Sequence, residues 1–547
     1  MAESLPGVVE VVVGARTVLV EVEPDRVDLA HLGGRLATWA SEVLPPKPAG
    51  DEVPLPGGSR SAPAGPGDEA GLPAVEIPVV YDGPDLHSVA EEVGLVPEEV
   101  AARHVSGEYT VGFMGFSPGF GYLDGLDKSL WVARLATPRP RVPAGSVAVA
   151  GRHTAVYPQA TPGGWRILGR TDRCLFDPTT SPPTPLAPGR RVRFVAVDEL
   201  AGGGGESQVA GARPPGSDGA GRLEVQGARG LRVLQPGSLT TVQDLGRFGW
   251  AYLGVPRAGA ADPGALALAN RIVGNPPGAA ALEITLRGPD LEATADLELA
   301  LAGAPVAATV QGRPVAMGQP IGVRAGEVVS IGMAREGLRC YLAVAGGLEV
   351  EPVLGSRSTD TLAGLGPPVV ARGSWLPVGE VGGSAPGGGL PGWRGPDAAR
   401  GPAGSGGSAG LAGWPGGTLE GRGPTRRGTV GVWPGPRREW FGDQGWEVLV
   451  SSSWTVTPQS DRTGARLAGS SIERVPALRG EELPPEGMVL GAIQVPPSGQ
   501  PVVLLANHPA TGGYPVIAVV ALADLAVLAQ ARPGDHIAFT EAGEPPV

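Results

Sequence analysis

Three histidines sit beside glycine-rich turns: His104, His153 and His508. An imidazole with an ordinary pKa near 6.5 can carry a proton at neutral pH, so these three are the candidate proton carriers. His31, His87 and His536 lie in stretches that look like surface or helix. Arginines cluster in turns. "TPRPRVPAGSVAVAG", residues 137–151, sets Arg139 and Arg141 ahead of a rigid Pro-Ala-Gly turn, and arginines held by proline suit bidentate capture of a carboxylate or phosphate. "TVQDLGRFGWAYLGVPRAGAAD", residues 241–262, places Gln243, Asp244, Arg247, Arg257 and Asp262 among glycines. "GSRSTD", residues 355–360, brings Arg357 and Ser358, and "PQSDRTGARL", residues 458–467, brings Asp461 and Arg462. Any one of these is explained by a salt-bridged structural turn. Four in a chain with 18 % charged residues favour a polar cleft lined by loops.

The stretch "GFMGFSPGFGYLDGLD", Gly112 to Asp127, alternates glycine with Phe113, Phe116, Phe120 and Tyr122. That many glycines exclude a buried helix, and the aromatics exclude a flexible linker. Two readings stay open: a loop whose bare backbone brings N–H groups to a ligand, or a tight turn pinned by aromatics. No Walker A loop, GxSxG elbow, HExxH or CxxC motif occurs.

The elements that must position these residues are mostly strands. The chain has 547 residues, which suggests three or four domains. Its 89 glycines and 59 prolines partly punctuate short apolar runs, the pattern of a β-rich protein with many turns. "VVEVVVGARTVLVEV" reads as β, "DLAHLGGRLATWASEVL" as helix, "AVEIPVVYD" as strand, and "DLHSVAEEVGLVPEEVAARH" as two short helices, the second opened by Pro97. "ADPGALALANRIVG" and "ALADLAVLAQA" are expected helices and "DHIAFTE" an expected strand. Pro45 to Pro73 reads as a loop; residues 201–228 and 381–428 read as Gly-rich linkers. These divide the chain at 1–75, 76–200 and 229–547. "AGRHTAVYPQATPGGWRIL" and "SGQPVVLLANHPATGGYPVI" resemble each other, which suggests one barrel corner used twice, or two turns alike by chance.

The formal charge of −12 argues against nucleic-acid binding, which needs a basic face. Cys174 and Cys340 cannot build a disulfide framework and suggest a reducing compartment. No basic leader precedes an apolar run, and no run is long enough to span a bilayer, so a cytoplasmic protein without membrane contact is expected.

"GFMGFSPGFGYLDGLD", "PRPRVPAGSVAVAG" and "YPQATPGGWRILGRT" resemble the signature of allophanate hydrolase subunit 1-type domains, the family of the sporulation-kinase inhibitor Kip and the 5-oxoprolinase B subunit. "LTTVQDLGRFGWAYLGVPRAGAAD", "ANRIVGN", "LEITLRGP", "YLAVAGGLEV", "LGSRSTD", "SDRTGARL" and "ATGGYP" resemble the subunit 2-type domain of the Kip antagonist and the 5-oxoprolinase C subunit. The two resemblances cover roughly 1–200 and 230–547, as in a B–C fusion.

The resemblance implies a mainly β fold, with cyclophilin-like β-barrels in both halves, two barrel-like subdomains in the second, and a small α/β N-terminal domain. It implies ATP-dependent opening of 5-oxoproline to glutamate, with Mg²⁺ and a separate A subunit. The glycine turns near 116–125 and 161–165, including Gly119, Gly163 and Gly164, would then donate N–H groups to anionic oxygens. Arg139, Arg141, Arg257 and Arg357 would hold phosphate or carboxylate. His104, His153, His508, Asp244 and Asp461 would serve proton transfer or Mg²⁺. Ser146, Trp165, Gln243, Arg247, Ser358, Arg462, Gln494, Thr511, Gly512, Gly513 and Tyr514 complete the implied binding set. His153 stands where relatives carry Gln, Pro509 and Ala510 depart from the usual elbow, and the 381–428 insert is long; these departures bear on substrate contacts. A biotin-dependent carboxyltransferase and a histidine-kinase inhibitor are the rival functions within the same resemblance; the first needs a biotin carrier, and this chain has no Met-Lys biotin acceptor.

Overall fold

The computed structural model describes residues 7–23, 27, 29, 31–36, 73–201, 228–381 and 427–543. The loop expected from Pro45 to Pro73 and the linkers expected at 201–228 and 381–428 fall almost wholly outside them. The chain is mainly β and forms two compact units. The first comprises Met1–Gly211, Gly249–Val255 and Ala510–Gly512; the second comprises Ala212–Phe248, Pro256–Pro509 and Gly513–Val547.

In the first unit, Val8–Val13 and Val18–Val22 make an antiparallel hairpin, and residues 31–36 are helical. The main sheet has seven strands. Its order is Arg166–Arg170, Ser146–Ala150, His153–Val156, Gly121–Asp124, Tyr109–Met114, Arg191–Ala196, Val75–Val79. An antiparallel bridge between Val80 and Arg170 joins the two ends, which closes the sheet. Its strands read as near-continuous apolar runs because both faces are covered. One face packs Ile77, Val111, Leu123, Val149, Leu168 and Phe194 with the helices Leu86–Val93 and Pro97–Ser106. The other carries Phe113, Phe120, Tyr122, Tyr157 and Trp165, against which Val13 and Ala15 of the hairpin pack. Pro97 opens its helix as expected.

The second unit begins with two sheets. One runs Arg313–Val315, Val306–Val310, Val328–Ala334, Asp290–Ala293, Gly230–Gln235, Trp375–Pro377; the other runs Leu239–Gln243, Ala281–Thr285, Arg339–Val344, Leu297–Gly303, Ile321–Val323. Leu231, Leu282, Leu291, Leu299, Val329 and Leu342 form the core shared by both. The far face of the second sheet is covered by the helix Pro263–Ile272, capped by Asp262, whose carboxylate accepts from Ala265 N.

The rest of the unit is a closed seven-stranded barrel, ordered Arg427–Pro434, Val516–Val520, Ala492–Gln494, Val502–Leu504, Gly464–Ala468, Ser453–Val456, His536–Glu541. Read from its last sheet neighbour, this is the topology of the first-unit sheet strand for strand. His536–Glu541 pairs in parallel with Arg427–Pro434, as Arg191–Ala196 does with Val75–Val79. The first barrel also carries a short ribbon outside the main sheet, Arg139–Val142 with Thr161–Gly163, and in the second barrel Glu486–Gly487 stands outside the main sheet. The two similar elbows of the sequence are therefore equivalent corners. No helix among the described residues is long and apolar enough to cross a membrane.

Candidate functional site

The glycine-aromatic stretch resolves into a hairpin, Tyr109–Met114 and Gly121–Asp124, with a tight loop at 115–120. The aromatics anchor it: Phe113 stacks on Tyr122 at 4.2 Å, and Phe120 meets Tyr157 and Trp165 edge-on. Phe116 has φ 65°, a conformation rare for a non-glycine residue. The loop's backbone donors are all used inside the protein. Gly115 N donates to Phe120 O, Ser117 N to Gly115 O, Gly119 N to Leu253 O, Phe120 N to Ser117 O, and Phe116 N to Thr511 Oγ1 at 3.1 Å. Its glycines answer close approach by other protein atoms: a Cβ at Gly115 would overlap the Thr511 hydroxyl, and one at Gly119 would crowd Phe176 and Leu175. The N–H groups expected to face an anionic oxygen face the chain instead.

The other first-unit candidates are similarly engaged. His104 is fully buried; Tyr81 Oη lies 2.7 Å from its Nδ1 and Thr154 Oγ1 2.8 Å from its Nε2. Thr154 donates its own hydrogen to Ala148 O, so the imidazole donates through Nε2 and accepts from Tyr81 at Nδ1. Burial pushes its pKa down to about 3. Arg139 is paired with Asp85 at 2.7 Å. His153 Nδ1 lies 3.2 Å from Asp124, off the line of a hydrogen bond, with its ring edge-on to Phe113 and Tyr122. Ser146 and Trp165 are buried, Arg141 is exposed, Gly163 pairs with Arg139 on the ribbon, and Gly164 O accepts from Leu135 N. Thr511 and Gly512 belong to this unit.

In the second unit, Asp244 clasps a turn. Its carboxylate accepts from Ser356 Oγ, Ser358 Oγ and Arg357 N, each at 2.6 Å, and from Gly246 N at 2.8 Å. Arg247 is 1 % exposed and donates to the carbonyls of Val353 and Ser358; burial lowers its pKa against the pull of Asp360 and Asp244. Gln243 donates to Thr241 and to Thr359 O. Asp461 forms an Asx turn with Thr463 N and Gly464 N. Gln494 ends a barrel strand and Tyr514 is exposed. Arg462 is buried and bonded to Glu283, to Gly259 O and to Asn507 Oδ1. These side chains build the turns that the sequence placed them in.

Arg257 and His508 lie close enough for the charge of one to act on the ring of the other. The Arg257 guanidinium lies 3.9 Å from the centre of the Phe248 ring. His508 is 8 % exposed, and its Nδ1 lies 2.9 Å from Pro509 O. A carbonyl only accepts, so Nδ1 carries the proton and Nε2 holds a lone pair. Burial lowers its pKa to about 4; the Pro509 carbonyl, the next largest influence, opposes this, and the nearby Arg257 charge adds to the lowering. A neutral imidazole beside a fixed cation can accept a proton while the cation holds an anionic group. Sequence reasoning named both residues but missed what supports them: Glu283, Asn507 and Tyr341. Glu283 had a signal, being the lone charge in the apolar run "AALEITL", and it is 1 % exposed.

The chain matches the family "Carboxyltransferase domain, subdomain C and D" over residues 1–186 and "Carboxyltransferase domain, subdomain A and B" over residues 253–541. It is 34 % identical to the 5-oxoprolinase C subunit of Escherichia coli K12 over 314 residues, 57 % of this chain and 91 % of that protein. It is 50 % identical to the 5-oxoprolinase B subunit of Bacillus subtilis over 128 residues, 23 % of this chain and 53 % of that protein, so the match spans about half of that relative. Urea amidolyase of Lachancea kluyveri is 34 % identical over 327 residues, 56 % of this chain and 17 % of that protein. Among solved structures, TTHA0988 is 34 % identical with a TM-score of 0.76, covering 99 % of this chain and 95 % of the other.

Proposed function

Because the chain belongs to the carboxyltransferase-domain family, subdomains A and B, with subdomains C and D in the same polypeptide, we propose that it acts as the fused B and C subunits of an ATP-dependent 5-oxoprolinase. It works with a separate A subunit, opening 5-oxo-L-proline to L-glutamate. The observation that carries the chemistry is His508, held neutral with Nε2 available, beside Arg257. A lactam is a poor electrophile, and transfer of the ATP γ-phosphoryl group to the lactam oxygen activates the ring carbon. Water then attacks that carbon and the ring C–N bond breaks with a proton delivered to nitrogen, leaving a γ-glutamyl phosphate that a second water hydrolyses to glutamate and phosphate. His508 Nε2 takes the proton of the attacking water, a contribution of about 10²–10⁴-fold for a positioned base. Arg257 holds a substrate carboxylate or phosphate oxygen, with Arg357 as a second cation in the unit. Among the described residues no three His, Cys, Asp or Glu side chains converge as a metal cage. Mg²⁺ in this reading travels on the ATP phosphates, as it commonly does, and no step depends on a protein-held ion.

The test is glutamate and phosphate release from 5-oxoproline and ATP, catalysed by the chain, by the A subunit, or by the two together. Turnover only with the two together, lost by at least 100-fold in His508→Gln of unchanged melting temperature, supports the reading. Full turnover by the chain alone, or full activity of His508→Gln, rejects it.

The similarity to urea amidolyase favours a second reading, carboxyl transfer from a biotin carrier. Carboxybiotin consumption by the purified chain, without ATP hydrolysis, would establish that alternative.

A further inference from the structure

We propose that the buried Glu283–Arg462 pair is a positioning device that sets the separation of Arg257 and His508. This rests on the reading of His508 as the proton acceptor. Arg462 is 4 % exposed, and its guanidinium ties together three segments. It pairs with Glu283 on the strand Ala281–Thr285, donates to the carbonyl of Gly259, two residues beyond Arg257, and donates to Asn507 Oδ1 at 3.1 Å, one residue before His508. The Arg462 carbonyl also accepts from Asn507 N at 2.9 Å, so side chain and backbone grip the same elbow.

Glu283 holds the other arm. Its Oε2 accepts from Ala261 N at 2.9 Å and from Tyr341 Oη at 2.7 Å, and Arg339 Nε stands 3.4 Å from its Oε1. The loop bearing Arg257 and the elbow bearing His508 therefore hang on one carboxylate–guanidinium pair. Gly259 has φ +90°, and a Cβ there would meet the Leu245 carbonyl at 2.8 Å, so the loop has little freedom to relocate the carbonyl that Arg462 holds.

Stability alone is a poor reason for this arrangement. A buried ion pair is often replaceable by packed hydrophobic residues at no cost, and Arg462 Nε is buried without a partner, an uncompensated donor. A planar fork that reaches three acceptors in fixed directions does provide orientation, which an ammonium does not.

The experiment uses the full chain, with the A subunit for activity. The variants are Arg462→Lys, which keeps charge and loses the fork, and Asn507→Ala, which removes the Arg462 link to the elbow together with the longer Asn507 Nδ2–Thr361 Oγ1 bond at 3.3 Å. Imidazole ¹⁵N NMR reads the His508 tautomer, and the acidic limb of the kcat–pH profile reads its environment, where Arg257 is the charge acting on the ring. The native chain is expected to show a single Nδ1–H tautomer. Both variants are expected to show mixed tautomers, an acidic limb moved towards higher pH, and kcat lower by about 10–100-fold, the effect of a small misplacement. Native ¹⁵N signatures in both variants overturn the proposal. If Arg462→Lys does not fold, Asn507→Ala decides by the same signature. Full activity of His508→Gln would reject the functional reading instead, while the tautomer signature still decides on positioning.

Discussion

Asp85 and Arg437 occupy the same corner of two barrels and carry opposite charges. Asp85 N donates to Ile167 O at 3.1 Å and Arg437 N to Val516 O at 3.0 Å. Each stands two residues after a glycine, Gly83 or Gly435, whose N–H reaches the next residue of the same strand, Leu168 or Ile517. Each is bridged to a short strand outside the main sheet: Asp85 to Arg139, Arg437 to Glu486. The exposures match as well, 28 % and 8 % for Arg139 and Asp85 against 26 % and 9 % for Arg437 and Glu486. The bridge keeps its place in both barrels while the signs are exchanged.

That exchange is testable. Asp85→Arg alone puts two guanidinium groups together and is expected to lower stability by about 3–5 kcal/mol, as breaking a largely buried pair does. Adding Arg139→Glu should recover most of the loss. It should fall short by about 1 kcal/mol, because Asp85 Oδ2 also accepts from Ile167 N at 2.7 Å and an arginine cannot. Thermal midpoints should rank native above the exchanged pair, and the exchanged pair above Asp85→Arg.

Gly115 and Thr511 are expected to be strongly non-additive. A methyl at Gly115 overlaps the Thr511 hydroxyl, and all three nearest atoms belong to that side chain. Gly115→Ala should cost about 1–3 kcal/mol by overpacking. In Gly115→Ala/Thr511→Gly the clash is gone, so the double variant should be more stable than the sum of the singles predicts. Urea midpoints of the four proteins give the coupling directly.

His104 makes the fold sensitive to acid. Tyr109 Oη donates to His104 O at 2.7 Å and Trp454 Nε1 to Leu449 O at 3.0 Å, both five residues upstream, so the second barrel fills this position with Leu449. With a folded pKa near 3 against 6.5 unfolded, the unfolded chain binds a proton between those values that the native chain does not. This stability is complete above pH 6.5 and is lost as the pH falls, by up to about 1.4 kcal/mol per pH unit. His104→Leu should flatten the fall of melting temperature below pH 6.5. At pH 7.5 it should cost about 1–3 kcal/mol, because Tyr81 and Thr154 lose their partner. An unchanged slope would show that His104 does not carry the effect.

Arg257→Gln should raise the His508 pKa from about 4, since a neighbouring cation no longer opposes the imidazolium. It should stay below 6.5, because burial is the larger cause. An NMR titration of the His508 ring measures both.

Local pattern determined much of this protein. Alternating apolar runs and Gly/Pro punctuation require a strand-rich fold, Pro97 opens a helix through its own fixed φ, and the TPGGW and ATGGY elbows mark one corner built twice. These follow from properties of neighbouring residues. Which donors remain for a ligand was decided elsewhere. Of the two readings open for the 115–120 loop, a row of bare N–H groups is the one that fails: Leu253 and Thr511 reach two of them from far along the chain. Arg139, Arg247 and Arg462 read alike as arginines in turns; each is taken up by its own carboxylate or carbonyl partners. Glu283 and Arg462 are 179 positions apart. Burial sets the protonation of a histidine, and distant segments satisfy or spare a polar atom, so both quantities exist only once the chain has folded.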